Sequence, residues 1–311
     1  MIRPFSTAQL RWKAMAVIPL SPANFPRFES DLVLKPWEIE STNSEVPFPL
    51  PPGARVPALP EKPALPDPVE VLGLPISPWT KSQVLEFVDW LVQRGQPSFF
   101  ITANLHYARL TAQLADLKEI NKKAAFIVAD GMPLLWAARW LGRPLPERVT
   151  GADLVWDLSE LAASRGYPVF LLGGAPGVAE TAARKLVEKF PRLVIAGTAA
   201  PMLDTLEPAC EAELIRRIRR SGAQILFAAF GQPKGERWLA SHIDALGVPV
   251  AVQVGAALDF AAGRIRRAPR FLQRIGLEWA YRILCDPRRL TPRYLADGLF
   301  FLRALGQLRK E

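Results

Sequence analysis

Strand-like and helix-like segments alternate along this sequence from Val69 to Gly255. Short apolar runs that end in glycine or a polar residue are separated by longer stretches whose apolar residues recur at helical spacing. Parallel strands need a crossover connection, commonly a helix, and such a sheet is covered on both faces. The alternation therefore predicts an α/β fold of the Rossmann-like type, with a mostly parallel sheet and helices on both faces.

Each predicted strand is a short apolar run. The seven strands are VEVLGLPI, taken as one strand, SFFITAN, AFIVAD, YPVFLLGG, LVIAGTA, AQILFAAFG and VPVAVQVG. Helices are predicted between these runs. One continuous helix is predicted from about His106 to Asn121, and another from Ala152 to Arg165.

Three regions differ in composition, which predicts a division into residues 1–68, 69–262 and 263–311. The first region holds 14 of the 30 prolines and shows no strand and helix alternation. It is predicted to be a proline-rich arm, extended or disordered, that acts as a spacer. Its opening residues are interrupted by Pro19 and lack a small-residue cleavage site, so a secretory signal is not expected.

Two cysteines, Cys210 and Cys285, are too few for a disulfide framework, and neither has the spacing of a metal ligand. A reduced, cytosolic compartment is therefore expected. No run reaches the roughly 18 uncharged residues that a membrane span requires. The sequence predicts no transmembrane helix.

Positive charge is concentrated in the last region. Residues 264–311 contain eleven arginines and one lysine against four acidic residues, which accounts for almost all of the chain's net charge of +9. The arginines alternate with aromatic and aliphatic residues at helical spacing, a pattern compatible with an anionic membrane surface, a nucleic-acid surface or a solvated face over a core. No nucleic-acid recognition motif accompanies the charge, so nucleic acid is not expected as a partner.

Ligands of open parallel sheets bind beyond the carboxyl ends of the strands. Five predicted strands end in short segments that carry glycine or polar residues, and these segments are TAN (102–104), ADG (129–131), GG (173–174), GQPKGE (231–236) and VGAALDF (254–260). Glycine lets backbone amides approach a ligand, and the polar groups can bind phosphate or sugar hydroxyls. The five segments are predicted to form one pocket.

Each segment also has a purely structural interpretation. Gly173 and Gly174 in LLGGAPG are either turn formers or part of an anion-binding helix N-terminus, and the full dinucleotide fingerprint is absent. An aspartate before glycine, such as Asp130, is commonly a turn residue. His106 and His242 fall on predicted helices and are interpreted as structural. No Asp-x-Asp motif and no metal-ligand spacing occurs, so no protein-bound metal is expected.

Five blocks of the sequence together resemble the WecG/TagA/CpsF glycosyltransferases. The blocks are TANLHYARL, VADGMPLLWAARWLGRPLPERVTGADL, VFLLGGAPG, FAAFGQPKGERW and VGAALDFAAGRIRRAPRFLQRIGLEWAYRILCDPRRL. They follow one another in order from about Val69 to the C-terminus, and the proline-rich arm lies outside the similarity. The resemblance implies a Rossmann-like enzyme that transfers a sugar, such as N-acetylmannosamine, from a UDP-sugar to a sugar on a polyprenyl pyrophosphate, with inversion and without a metal or other cofactor.

The resemblance also implies roles for particular residues. Asp130 corresponds to the family's proposed catalytic base, Thr102 and Asn104 to its pocket-lining Thr-x-Asn, and Arg148 to an arginine that meets the diphosphate or the acceptor. An inverting transfer needs one carboxylate to accept the proton of the acceptor hydroxyl, and positive charge or amide dipoles to stabilise the departing diphosphate. The remaining substrate-binding candidates stand at the strand ends and are Gly131, Gly173, Gly174, Gln232, Lys234, Glu236 and Gly255.

One position departs from the family pattern. The usual Pro-Lys-Gln-Glu stands here as PKGE, with Gly235 in place of the glutamine. Gln232, three residues earlier, is an alternative source of the missing amide.

The family's C-terminal appendage implies a membrane contact. Arg264, Arg267, Arg270 and Arg274 are expected to face the pyrophosphate or anionic headgroups. The sequence thus favours a cytoplasmic enzyme, peripherally bound to the inner face of a bacterial membrane, that acts in surface polysaccharide synthesis. Two alternatives stay open. One is a transferase of another hexose or a uronic acid in exopolysaccharide synthesis, and the other is a catalytically silent α/β binding module that recruits polysaccharide machinery to the membrane through its proline-rich arm.

Overall fold

The structure of the protein, a computed structural model, describes residues 61–308. Most of the predicted proline-rich arm, residues 1–60, lies outside the described residues. The end of that region is in contact with the core, because Trp79 Nε1 donates a hydrogen bond to the carbonyl of Pro66 at 2.8 Å and Leu65 packs against buried apolar side chains.

The first two strands form an antiparallel hairpin, β1 (Val69–Val71) and β2 (Leu74–Ile76). The prediction of one strand across these residues is therefore wrong. The chain reverses at Leu72 and Gly73, whose φ angles are 51° and 78°. Two successive residues with positive φ form a tight hairpin turn that matches the twist of the strands, and glycine adopts this conformation without steric cost.

Six further strands form one parallel sheet. They are β3 (Phe99–Ala103), β4 (Ile127–Ala129), β5 (Val169–Gly173), β6 (Ile195–Ala199), β7 (Ile225–Ala229) and β8 (Val250–Gln253). Their order across the sheet is β4-β3-β8-β7-β5-β6, and every neighbouring pair is parallel. The carboxyl ends of all six strands consequently lie along the same edge of the sheet.

Helices connect the strands and continue to the end of the described chain. They are α1 (Lys81–Arg94), α2 (Leu105–Gln113), α3 (Ala115–Lys123), α4 (Met132–Trp140), α5 (Gly151–Arg165), α6 (Val178–Lys189), α7 (Pro208–Arg220), α8 (Lys234–Leu246), α9 (Ala257–Ala261), α10 (Arg270–Arg274), α11 (Glu278–Cys285) and α12 (Pro287–Leu308). Several have local start signals. Thr80 and Gln83, for example, form a capping box at the start of α1.

The predicted single helix from about His106 to Asn121 is two helices, α2 and α3. Leu114 separates them because its backbone is extended, with φ −120° and ψ 108°. The apolar positions continue across this break, so periodicity alone predicts one element.

Successive residues of the strands point into two separate apolar clusters, one on each face of the sheet. Phe100, Leu171, Phe227 and Val252 belong to one cluster. Their neighbours Phe99, Phe170, Leu226 and Ala251 belong to the other. Side chains of a strand alternate between its faces, and the apolar side chains of both faces are covered. The predicted Rossmann-like α/β fold is confirmed.

The C-terminal helices pack against the carboxyl edge of the sheet and against α2. Asp297 in α12 is almost completely buried and lies 2.7 Å from Arg109 Nε and 3.1 Å from His106 Nδ1, both in α2. These contacts fix α12 beside the strand ends. Among residues 61–308, no helix has the length and apolar character to cross a bilayer.

Candidate active site

A cavity of about 1050 Å³ lies where the strand ends meet the C-terminal helices. Its floor comes from residues that follow β3, β4, β7 and β8, and its wall comes from residues of the segment that contains α10, α11 and α12. The residues predicted from the sequence that line it are Thr102, Asn104, Asp130, Gly131, Arg148, Gln232, Gly255, Arg264 and Arg267. Four of the five predicted segments thus meet in one place.

Asp130 stands directly after β4 with its carboxylate at the cavity. Burial raises the pKa of this carboxyl group to about 7, and a hydrogen bond from the Gly151 amide and the positive charge of Arg148 oppose the increase. The amide of Gly151 lies 3.2 Å from Asp130 Oδ2. A carboxylate with a pKa near neutral pH is well suited to accept a proton.

Gly151 was not among the residues predicted from the sequence. It is the first residue of α5, and a β-carbon at this position would lie 3.2 Å from Val254 Cα and 3.3 Å from Thr102 Oγ1. Glycine therefore lets the N-terminus of α5 approach the ends of β3 and β8 closely enough to reach Asp130. The only sequence signal for this role is the helix start Thr150-Gly151, two residues after Arg148.

Arg148 belongs to a chain of charged side chains beside Asp130. It donates a hydrogen bond from Nη1 to Glu278 Oε2 at 3.1 Å, and Glu278 Oε1 lies 3.5 Å from Arg267 Nε. Arg267 also binds Asp153 Oδ1 at 2.5 Å. These ion pairs join the loop before α5 to the C-terminal segment. They also keep Arg148 and Arg267 close enough to Asp130 to lower its pKa.

Thr102 and Asn104 line the cavity while they also serve the fold. Thr102 Oγ1 donates to the carbonyl of Gln253 at 3.0 Å, which ties the end of β3 to β8. Asn104 Oδ1 accepts from the Tyr107 amide at 3.1 Å and caps the N-terminus of α2. Of the Asn104 amide, the nitrogen is the group left for a ligand.

Gly173 and Gly174 do not line the cavity, and their conformations have a packing explanation. Both have positive φ angles, and a β-carbon on Gly173 would lie 2.6 Å from the carbonyl oxygen of Ala229. The amide of Gly174 donates to the same carbonyl at 3.0 Å. That amide is used within the sheet.

Lys234 and Glu236 also lie outside the cavity lining. Lys234 forms an exposed ion pair with Asp204. Glu236 is buried in the first turn of α8, and burial raises its pKa to about 7, against the influence of the nearby amides of Gln232 and Gln253. Neither Glu236 carboxylate oxygen has a partner in hydrogen-bonding geometry among the described residues.

The four C-terminal arginines predicted from the sequence separate into two groups. Arg264 and Arg267 line the cavity, whereas Arg270 and Arg274 are exposed in α10 away from it. Three further arginines of α11 and α12 line the cavity and were not singled out from the sequence, namely Arg282, Arg289 and Arg293. With Arg148, six arginines line the cavity against four carboxyl groups, those of Asp130, Asp259, Glu278 and Asp297, and this positive balance favours an anionic ligand.

In the part of the chain that the structure describes, no group of three or more His, Cys, Asp or Glu side chains could hold a metal ion. His106 pairs with Asp297, and His242 Nδ1 lies 2.8 Å from the carbonyl of Trp238, one helical turn earlier. Both histidines are therefore engaged within the protein. The exposed cysteines Cys210 and Cys285 lie on α7 and at the end of α11.

One family profile matches nearly all of the region that the structure describes. The profile, described as the glycosyl transferase WecG/TagA/CpsF family, matches residues 69–311. Similar curated relatives include the N-acetylglucosaminyldiphosphoundecaprenol N-acetyl-beta-D-mannosaminyltransferases of Staphylococcus aureus strains NCTC 8325 / PS 47 and COL. Each is 31% identical over 227 residues, which cover 71% of this chain and 86% of the relative.

Proposed function

Because this chain belongs to the WecG/TagA/CpsF family of glycosyl transferases, we propose that it transfers N-acetylmannosamine from a UDP-activated donor to a sugar carried on a polyprenyl diphosphate. The product would be an intermediate of a surface polysaccharide. The observation that carries the proposal is Asp130, a carboxylate with its pKa raised to about 7 at the mouth of an arginine-lined cavity. The names of the relatives supply the proposed sugar and acceptor, and the resemblance to the family supplies its UDP activation.

Asp130 would act as the general base. In an inverting transfer, the acceptor hydroxyl loses its proton as it attacks the anomeric carbon, and the bond to the leaving diphosphate breaks on the opposite side. Asp130 Oδ1 or Oδ2 would accept that proton. The hydrogen bond from Gly151 favours the ionised carboxylate and also fixes its orientation.

Positive side chains would stabilise the leaving diphosphate without a metal ion. Arg264, Arg282, Arg289 and Arg293 line the cavity. Guanidinium groups can donate two hydrogen bonds to one phosphate, and they act strongly in a site from which water is excluded. Burial lowers the pKa of Arg293, which lies deepest among α12's arginines and whose Nε has no hydrogen-bond partner among the described residues.

The lipid-linked acceptor would be met at the membrane by the C-terminal helices. Large apolar side chains are exposed on α10, α11 and α12 and between them, and they are Phe271, Ile275, Leu277, Trp279, Leu284, Leu295, Leu299 and Leu302. Arg270 and Arg274 are exposed on the same segment. Exposed apolar and basic side chains on one segment favour peripheral binding to anionic lipid, which for this enzyme would be the inner face of the bacterial membrane.

A second donor is compatible with one feature of the cavity. Gly235 differs from the family pattern, and the side chain of Gln253, which lines the cavity, lies against it. A donor pocket with this local change could accept another hexose or a uronic acid. A silent recruitment module is less consistent with the chain, because Thr102, Asn104, Asp130 and Arg148 are all present at the cavity.

The proposal is tested with purified full-length protein and a panel of UDP-sugars. The acceptor is N-acetylglucosamine on a short polyprenyl diphosphate. The reaction is run in excess EDTA, and its products are identified by mass spectrometry. The expected result is one added N-acetylhexosamine, only with UDP-N-acetylmannosamine. Transfer from another UDP-sugar alone would replace the donor assignment, and no transfer from any donor, with or without added Mg²⁺, would overturn the proposed activity.

A further inference from the structure

Gly235 is a glycine because another side chain occupies the space above it. Its backbone has no positive φ, so the conformation itself permits a side chain. A β-carbon at Gly235, however, would lie 2.6 Å from Gln253 Nε2 and 2.8 Å from Gln253 Cδ. Real β-carbons do not approach other heavy atoms so closely. The residue types at 235 and 253 therefore depend on each other.

Gln253 uses its amide to join two loops of the cavity. Nε2 donates to the carbonyl of Phe230, after β7, at 2.5 Å, and Oε1 accepts from the amide of Gly255, after β8, at 2.8 Å. Phe230 and Gly255 both line the cavity, as does Gln253 itself. The side chain is almost completely buried, so water does not compete effectively for these two bonds.

The main chain of Gln253 adds a third connection. Its carbonyl accepts from Thr102 Oγ1 at 3.0 Å, which links the residue to the end of β3. One residue thus holds the ends of three neighbouring strands, β3, β8 and β7, in a fixed relation. Gln232, two residues beyond Phe230, reaches the cavity from the loop that Gln253 holds.

The position of these loops in the sheet indicates which substrate they meet. Asp130 follows β4, three strand positions from β7, a separation of about 14 Å at the usual strand spacing. In the proposed displacement, the leaving diphosphate departs on the side of the anomeric carbon away from the attacking hydroxyl. With the acceptor hydroxyl at Asp130, as proposed, the nucleotide part of the donor would lie across the sheet, toward the β7 and β8 loops.

We infer that Gln253 is a positioning residue for the sugar-nucleotide donor, acting through Gln232 and Gly255, an inference that rests on the proposed function. Its amide sets the distance between the two loops, and Gly235 provides the space that the amide needs. The amide above position 235 comes from Gln253 in β8, whereas the family pattern alone suggests Gln232 as an alternative source of the missing amide.

The first test replaces Gln253 by methionine, which keeps the length and volume of the side chain but removes both amide hydrogen bonds. The expected result is an increase of about ten- to fiftyfold in the donor KM, with an acceptor KM within about twofold of wild type. Gln83→Met is the matched control, because Gln83 caps α1 and does not line the cavity. It should lower the unfolding temperature without changing the donor KM.

The second test approaches the contact from the other side and covers the case in which Gln253→Met does not fold. Gly235→Ala must displace the Gln253 amide and should raise the donor KM similarly. In a Gln253→Ala background the space is vacant, so adding Gly235→Ala should have little further effect. Effects that add in the double variant would show that the two residues act independently and would overturn the inference.

Different results would overturn the positioning role and the proposed function. An active wild type whose donor KM is unchanged by Gln253→Met and by Gly235→Ala overturns the positioning role and leaves the proposed function intact. Equal increases in the donor and acceptor KM also overturn it, because they indicate a general disturbance of the site. A wild type that transfers sugar from none of the UDP-sugars overturns the proposed function, and the inference with it.

Discussion

The amide of Gly151 lies 3.2 Å from Oδ2 of Asp130. Asp130 directly follows β4, and Gly151 is the first residue of α5. β4 delivers the carboxylate and the N-terminus of α5 delivers the amide. A helix N-terminus carries partial positive charge, which stabilises an anion placed there. The contact therefore favours the ionised carboxylate, against the burial that raises the pKa of Asp130.

Asp130→Asn should lower kcat by about 10²- to 10⁴-fold, because an amide has nearly the same shape but cannot accept the proton. Donor binding, measured by calorimetry with UDP, should stay within about twofold of wild type. The matched control is Asp157→Asn, which removes a carboxylate of α5 that pairs with Lys81 outside the cavity lining and should leave kcat unchanged. If Asp130→Asn loses donor affinity but keeps its rate at saturation, Asp130 is a binding residue.

The pH profile of kcat/KM should show an acid limb near pH 7, where the base becomes protonated. Gly151→Ala should move this limb to higher pH, since the hydrogen bond that lowers the pKa of Asp130 would be displaced. The limb is measured with soluble acceptor between pH 5 and 9. An unchanged limb in an active Gly151→Ala variant would mean that another group controls the profile.

Glu236→Gln should make the stability of the fold less dependent on pH. Burial raises the pKa of Glu236 to about 7, so the folded state holds a proton that the unfolded state releases above its own lower pKa. The associated stability is complete below the unfolded pKa and is lost as the pH rises toward 7. At pH 8 the free energy of unfolding of the variant, measured in urea, should exceed that of wild type by about 3 kcal/mol. Parallel stability curves for the two proteins would contradict this.

Asp297→Asn should loosen the wall of the cavity. Asp297 lies beside Arg109, His106 and, at 3.7 Å, Arg293, and its loss leaves buried positive charge without a carboxylate. Removing one partner of a buried ion pair lowers the free energy of unfolding by about 3 kcal/mol, which urea unfolding would measure. The exposed pair Arg216–Glu213 offers a control, because Glu213→Gln should change stability little. Equal effects of the two substitutions would remove the special role of Asp297.

Arg270→Gln with Arg274→Gln should weaken binding to vesicles that contain anionic lipid by about tenfold or more, at roughly 1 kcal/mol for each basic residue near the surface. Added salt should weaken wild-type binding in the same direction. Both arginines lie outside the cavity lining, so turnover on a soluble acceptor should be unchanged. Loss of activity on the soluble acceptor would place these arginines at the active site instead of the membrane.

The sequence predicts the sheet well because buried parallel strands are short apolar runs and each of these ends in a recognisable glycine or polar segment. It fails where a local pattern has two structural solutions. VEVLGLPI is apolar enough for one strand, but Leu72 and Gly73 form a turn. The stretch that follows Asn104 is periodic enough for one helix, but Leu114 interrupts it.

The site is predicted in part for a related reason. Residues at strand ends, such as Asp130 and Gln232, can be identified because the topology brings all strand ends to one edge. The partner of Arg148 is Glu278, 130 residues later, and no local pattern indicates that contact. Gly173 resembles a ligand-binding glycine in sequence, but its close approach to Ala229 explains it as a packing residue.

The helices that wall the cavity come after the last strand in the chain, so they are synthesised after the whole sheet. A nascent chain that has left the ribosome as far as β8 contains every strand of the sheet and Asp130, but only an open groove beside it. Its enclosure requires α12, because Asp297 must reach His106 and Arg109. Translation order thus separates formation of the sheet from closure of the cavity, and a chain that stops before Asp297 would contain every strand of the sheet but not this closing contact.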